Sequence, residues 1–149
     1  MAQRKKNGKE TPGTQAFAAL QRIVNKVSDE VYSALTPQKL TVSQFRILEA
    51  LHKQGPLFQV ELARQILKTT GNLTMVIDNL ERGGLVERVR GKEDRRYYQI
   101  ILTPDGNKLI KKLYPAHVRR IDKVMGKLTG PELEKLASIC EKLEGADKN

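Results

Sequence analysis

The 149-residue sequence holds a single cysteine, Cys140, so it can form no internal disulfide and no cysteine-based zinc site, and it suits a reducing compartment. Its two histidines, His52 and His117, have no second ligand at helical spacing, whereas a zinc ion needs three or four. No apolar run approaches the roughly 18–20 residues of a membrane span. The basic, polar opening MAQRKKNGKETPGT lacks the apolar stretch of a secretory signal. A cytoplasmic protein with no membrane partner is the expectation. Also missing are a glycine-rich phosphate loop, a nucleophile elbow and clustered carboxylates, so no enzyme and no cofactor are expected. Acidic residues are in deficit, 17 against 27 Lys and Arg, which leaves a net charge of +10. Polyanions attract such a chain, and nucleic acid is the commonest inside cells. Solubility alone would explain the charge equally well, so local pattern must decide.

What is present reads as a helix-rich domain. Residues 1–13 form a basic arm without expected order, ending in Thr11-Pro12-Gly13. Phe17, Leu20, Val24, Val27, Val31 and Leu35 then recur three or four apart, predicting one long amphipathic helix over about 14–35. Thr36-Pro37 should stop it. Thr41-Val42-Ser43-Gln44 is a capping box opening a second helix with Phe45, Leu48 and Leu51 inward, broken at Gly55-Pro56. A short helix over about 59–67 should bury Val60, Leu62, Ala63, Ile66 and Leu67. A polar turn, Lys68-Thr69-Thr70, leads into a helix over about 70–82 with Leu73, Val76, Ile77 and Leu80 as its inner stripe. Gly83-Gly84 supplies a left-handed stop.

The period then changes. Leu85–Arg90 and Arg96–Leu102 alternate as strands around a charged tip at 91–95, a β-hairpin. Thr103-Pro104 starts a long helix carried by Leu109, Leu113, Ile121, Val124 and Leu128, which Pro115 should bend. Thr129-Gly130-Pro131-Glu132, a second capping box, opens a last helix through Leu133, Leu136, Cys140 and Leu143. The fold class is mainly α (α+β): a winged helix-turn-helix at 41–102, with long terminal helices at 14–40 and 103–145 for dimerisation.

Two short helices joined by a tight turn, followed by a basic hairpin, suit DNA. The second helix would enter the major groove with its N-terminal residues leading. Its outer positions include Thr70, Asn72, Thr74 and Met75. Short hydroxyl and amide side chains permit close approach and hydrogen bonds to base edges or phosphates. On the hairpin, Arg88 and Arg90 share a face, and Lys92, Arg95 and Arg96 gather at the tip. Guanidinium groups suit phosphates and narrow minor grooves, and Asp94 can hold an arginine fork in one orientation. A solvated helix face and an ordinary charged turn would show much of the same composition.

The stretch Gly71-Asn72-Leu73-Thr74, then Leu80-Glu81-Arg82-Gly83-Gly84-Leu85-Val86-Glu87-Arg88, then Asp94-Arg95-Arg96 and Leu102-Thr103, resembles the MarR family of bacterial regulators over about 14–145. The resemblance implies a homodimer interlocked through the first and last two helices, with Thr70, Asn72 and Thr74 at the major groove. It implies Arg96 in the minor groove, Asp94 bracing the wing, and Arg88 and Arg90 on the backbone. Gly83 departs from the pattern, standing where many relatives carry a basic residue. The implied function is a repressor of a pseudo-palindromic operator in double-stranded DNA, released by a small aromatic or phenolic effector. A long apolar seam on the first helix also asks for a second copy, and two-fold symmetry predicts an inverted repeat. The alternatives are a winged-helix protein-interaction module and a sequence-blind DNA binder.

Other residues read more plainly. Cys140, in register with Leu133, Leu136 and Leu143, should be a buried core thiol, the alternative being an oxidisable thiol at a dimer interface. Thiol-based sensing through a cysteine near the N-terminus has no residue to use. His117, near the apolar stripe of the long helix, should be a packed or pocket-edge residue, and Tyr32 and Tyr114 should pack in the core or line an effector pocket. Lys108, Lys111, Lys112, Arg119, Arg120, Lys123 and Lys127 read as a solvated face.

Overall fold

The computed structural model describes residues 10–66, 70–91 and 97–145. Thr11-Pro12-Gly13 is not the end of an arm but the start of α1 (Pro12–Tyr32). The Thr11 hydroxyl accepts from the Thr14 amide, and Pro12 occupies the first turn, where its missing N–H costs nothing. Thr36-Pro37 does not stop the chain either, because it lies within a 3-10 helix, Ser33–Gln38. That segment ends at Lys39, the one non-glycine residue among those described with positive φ (54°).

α2 (Val42–Gln54) opens on the expected capping box, with Thr41 and Gln44 each bonding the other's backbone amide. Its inward face, Phe45, Leu48 and Leu51, forms the floor of the core with Ile47 and Ala50. β1 (Leu57–Phe58) has no counterpart in the sequence reading: two residues are too few for alternation to show. It leads directly into α3 (Gln59–Ile66) and α4 (Thr70–Arg82). β2 (Val86–Arg90) and β3 (Tyr98–Leu102) form the hairpin, and β1 adds to it in the order β1-β3-β2, antiparallel throughout.

α4 ends in a Schellman closure: the Leu85 amide reaches the Leu80 carbonyl at 3.0 Å and the Gly84 amide reaches Glu81 at 2.9 Å, with Gly84 at φ 69°. α5 (Pro104–Met125) starts with Thr103 as cap and runs unbroken through Pro115. Leu128, expected to carry that helix, falls beyond its end. α6 (Gly130–Leu143) opens on the second capping box, where Thr129's amide and hydroxyl hold the Glu132 carboxyl below its usual range.

The core gathers Leu35, α2, Leu62, Ile66, Leu73, Ile77, Leu80, Val86, Ile100, Ile110 and Leu113. Val60, expected inside, is half exposed, since α3 is short and turns only its Leu62–Ile66 edge inward. Leu67 lies outside the described residues. The first helix's seam is split: Val31 is buried, but Phe17, Leu20 and Val24 stand open to solvent. α6 buries nothing, so Cys140 is exposed and not a core thiol. The register with Leu133 and Leu136 is real, but among the described residues no other element covers that face enough to bury any residue of α6. Among the described residues no helix is long and apolar enough to cross a membrane.

Candidate nucleic-acid interface

α4 stands on the core by one edge. Leu73, Ile77 and Leu80 are fully buried, while Asn72, Thr74, Met75 and Asn79 point outward and Met75 is 59% exposed. The i, i+4, i+7 spacing of the buried trio leaves the opposite face of the helix free for display. Thr70 begins α4, although its side chain lies outside the description.

The wing is tied to this helix. Arg88 lies on the same strand face as buried Val86 and turns toward α4, where its guanidinium meets Asp78 at 2.5 Å and pairs also with Glu81. Glu81 accepts the Arg88 backbone amide as well, at 3.1 Å. Arg88 is therefore occupied by two carboxylates, not directed outward as a phosphate contact would require. Arg90, one pleat repeat further, is exposed, stacks over its cross-strand partner Tyr98 at 5.6 Å, and makes interactions beyond that ring. Lys92, Asp94, Arg95 and Arg96 lie outside the described residues, as does the Lys68-Thr69 turn.

The end of α4 and the start of α5 are locked together. The Thr103 hydroxyl donates to the Gly84 carbonyl at 2.6 Å and accepts from the Gly106 amide at 3.0 Å, while the Thr103 amide bonds Leu85 at 3.1 Å. A Cβ on Gly106 would lie 1.9 Å from the Leu85 carbonyl oxygen, so only glycine permits this approach. Two sequence stretches 19 residues apart, Gly83-Gly84-Leu85 and Leu102-Thr103, thus make one joint. Gly83 itself has room for a side chain and uses none of it.

At the junction of α1, α2 and α5, His117 is buried between Tyr32, at 5.4 Å between ring centres, and Phe45, at 4.6 Å. It bonds the Val31 carbonyl, and its Nδ1 has no partner among the described residues. Burial pushes its pKa below the ordinary 6.5, with Glu49 pulling weakly the other way. Burial likewise raises the Tyr32 phenol. Tyr114 stacks edge-on to His52 beneath the Lys53 ammonium, which Glu49 holds charged above its usual range. Both tyrosines pack against the core, as expected of them, and His117 is the packed residue that its position suggested.

Comparison with known proteins places this geometry. Residues 40–98 match the MarR family model. The transcriptional repressor Mb2911 of Mycobacterium bovis is 33% identical over 129 residues, covering 86% of this chain and 91% of that protein. The chain belongs to the MarR family. An uncharacterised transcriptional regulator of Bacillus subtilis, YkoM, is 34% identical over 100 residues, covering 67% of this chain but only 65% of its own length. Among solved structures, BpsR of Bordetella bronchiseptica, described by the regulation of its DNA binding by 6-hydroxynicotinic acid, superposes with a TM-score of 0.81 at 25% identity. It covers 94% of this chain and is itself covered completely. The winged-helix fold expected from the sequence is therefore the fold of this MarR member. Its relatives are named as regulators, not enzymes.

Of the expected contact residues, Asn72, Thr74, Met75 and Arg90 are exposed, whereas Arg88 is turned to Asp78 and Glu81. Two residues of the same region escaped the sequence reading. Gln59, at the start of α3, bonds Thr74 at 2.5 Å. Asp78, on the outer side of α4, holds Arg88. Neither carries a sequence signal, because both act through partners 15 and 10 residues away.

Proposed function

We propose that this protein is a homodimeric, sequence-specific DNA-binding regulator, a ligand-responsive repressor of a pseudo-palindromic operator. The observation that carries the reading is the display of α4: a helix anchored by three fully buried residues, its outer face lined with short polar side chains. A net charge of +10 supplies the attraction for phosphates. Residues 41–102 are the reading unit, and 14–40 with 103–145 are the dimerisation region. Thr70, Asn72, Thr74 and Met75 meet the major groove. Arg90, Lys92, Arg95 and Arg96 meet the backbone and minor groove, with Asp94 bracing the wing. Arg88 contributes by fixing the wing to α4.

The exposed apolar residues of α1 and α6 support a second copy, interlocked so that both recognition helices face one side of a duplex. The regulation of BpsR by a hydroxylated aromatic acid supports an effector of aromatic or phenolic chemistry. Such a ligand acts by favouring a spacing of the two helices that does not fit DNA.

Selection of genomic fragments by the purified protein, followed by salt titration of the recovered site, tests the proposal. The expected result is one inverted repeat with half-sites about 10 bp apart, bound on the order of 10³ more tightly than random duplex, with affinity falling steeply in salt. Weak, flat binding to every duplex would make it an interaction module, and a salt slope without sequence preference would make it an architectural protein.

A further inference from the structure

Gln59 is half-buried and stands on rigid ground on both sides. The preceding residues, Leu57 and Phe58, are paired into the sheet opposite Ile100 and Gln99. Within α3, the Glu61 carboxylate accepts the Phe58 amide at 2.7 Å and so closes the first turn over Gln59. From that fixed point the Gln59 amide reaches across to α4 and donates one N–H to the Thr74 hydroxyl at 2.5 Å. Thr74 is equally fixed, since its neighbours along the helix, Leu73 and Ile77, are fully buried.

A primary amide has two N–H donors and a carbonyl acceptor. The bond to Thr74 consumes one donor, and it is the only bond that the Gln59 side chain makes among the described residues. One N–H and the carbonyl are left, and with Thr74 taking the N–H trans to the carbonyl, that donor and acceptor lie side by side. In the major groove, adenine presents the complement, an acceptor at N7 beside a donor at N6, and a glutamine amide meets both at once. A free glutamine would first have to give up the rotamer freedom of its side chain. Here Thr74 has already ordered it.

We infer that Gln59 is a specificity-determining residue: anchored by Thr74, its amide reads one base pair in each half-site and prefers adenine there. The inference rests on the reading of α4 as the major-groove helix, and it adds a base contact from outside that helix.

The test is parallel selection of one random duplex library by the full-length wild type, Gln59→Ala, Gln59→Met and Thr74→Val, with thermal unfolding run alongside. Gln59→Met keeps the side-chain length and serves if the alanine variant fails to fold. For each Gln59 variant, discrimination for adenine at one position of each half-site should fall about tenfold, with every other position and the salt slope retained. Thr74→Val, which removes the anchor, should blur that same position. An unchanged consensus in the Gln59 variants would overturn the inference while leaving the DNA-reading function intact. So would an equal loss of affinity at all positions, the mark of a purely structural role. A wild type that recovers no motif would overturn both.

Discussion

Arg88 meets Asp78 across the gap between the wing and α4, 2.5 Å apart, with Glu81 on the guanidinium's other arm. An arginine in this register resembles a phosphate contact when only the strand is read. Its two carboxylate partners instead make it a strut that fixes the angle between helix and wing. Arg88→Met should leave two carboxylates without their counter-charge. They are 47% and 39% exposed, so solvent screens much of the loss, and destabilisation of about 1 kcal/mol is expected. Thermal unfolding should show a fall in Tm of about 2–4 °C. Operator affinity should drop while its salt slope stays fixed. A slope reduced by about 0.9 would return Arg88 to the phosphate backbone.

Much of this architecture was legible because it is written in local chemistry. The boxes at Thr41 and Thr129, the Gly84 stop and the Thr103-Pro104 start each depend on residues within one turn. The buried trio of α4 follows from spacing alone. Contacts between distant segments were not legible. Nothing in the local sequence announces that Gln59 bonds Thr74, or that Asp78 rather than a phosphate takes Arg88. Val60 and Cys140 failed for a related reason: helical register says which residues share a face, not whether another element covers it. Thr11-Pro12-Gly13 looked like loop composition, yet the same three residues are a good helix start.

His117 gives a pH dependence with a definite sign. Its pKa is lowered in the fold, chiefly by burial among Tyr32, Phe45 and the surrounding apolar residues, with Lys53 and Arg120 also disfavouring the charge. The folded protein therefore holds the neutral imidazole. Its contribution to stability is complete above the ordinary value of 6.5 and is lost as pH falls from there to the lowered folded value. Urea midpoints measured from pH 7.5 to 5 should decline for the wild type more steeply than for His117→Phe. Parallel curves would remove His117 as the cause.

The joint between α4 and α5 should be sensitive to single atoms. Thr103→Ala removes a cap and a bond to the Gly84 carbonyl, which should cost about 1–2 kcal/mol in urea unfolding. Gly106→Ala places a methyl 1.9 Å from the Leu85 carbonyl oxygen, a backbone atom with no rotamer to give. The loss should exceed 3 kcal/mol, beyond the usual range for point mutants, and should appear as poor recovery of folded protein. The contrast is Gly83→Lys: a Cβ there meets only the Asn79 and Leu80 carbonyl oxygens, at 3.4 and 3.5 Å, which is ordinary contact, so stability should change by less than about 1 kcal/mol. The added lysine would bring a cation to the end of α4, and a slightly steeper salt dependence of DNA binding is expected.

The apolar face that α1 and α6 leave open is the strongest reason to expect a partner copy. Phe17, Leu20, Ile23 and Val24 on α1 are all exposed, as are Leu136, Ile139 and Leu143 on α6, the longest of these exposures being Leu143 at 71%. Between α1, the end of α5 and α6 lies a cleft of about 240 Å³, lined by Ile23, Val27, Val124, Leu128 and Leu136 together with the charged Lys26, Glu30 and Lys127. A monomer would hold this surface in water, at a cost of about 25 cal/mol for each Å² of apolar area. Pairing two copies removes that area from solvent while leaving the α2–α5 core untouched. Leu20→Lys with Ile139→Lys places a charge on each side of the buried seam, and desolvating either costs several kcal/mol. Sedimentation should give the wild type twice the 16.8 kDa of one chain and the double variant a single chain. The variant's circular dichroism should keep most of its helix, because neither residue belongs to the core. Its operator affinity should collapse toward that of one isolated half-site. A wild type that sediments as a single chain at micromolar concentration would refute the two-fold arrangement, and the inverted-repeat operator with it.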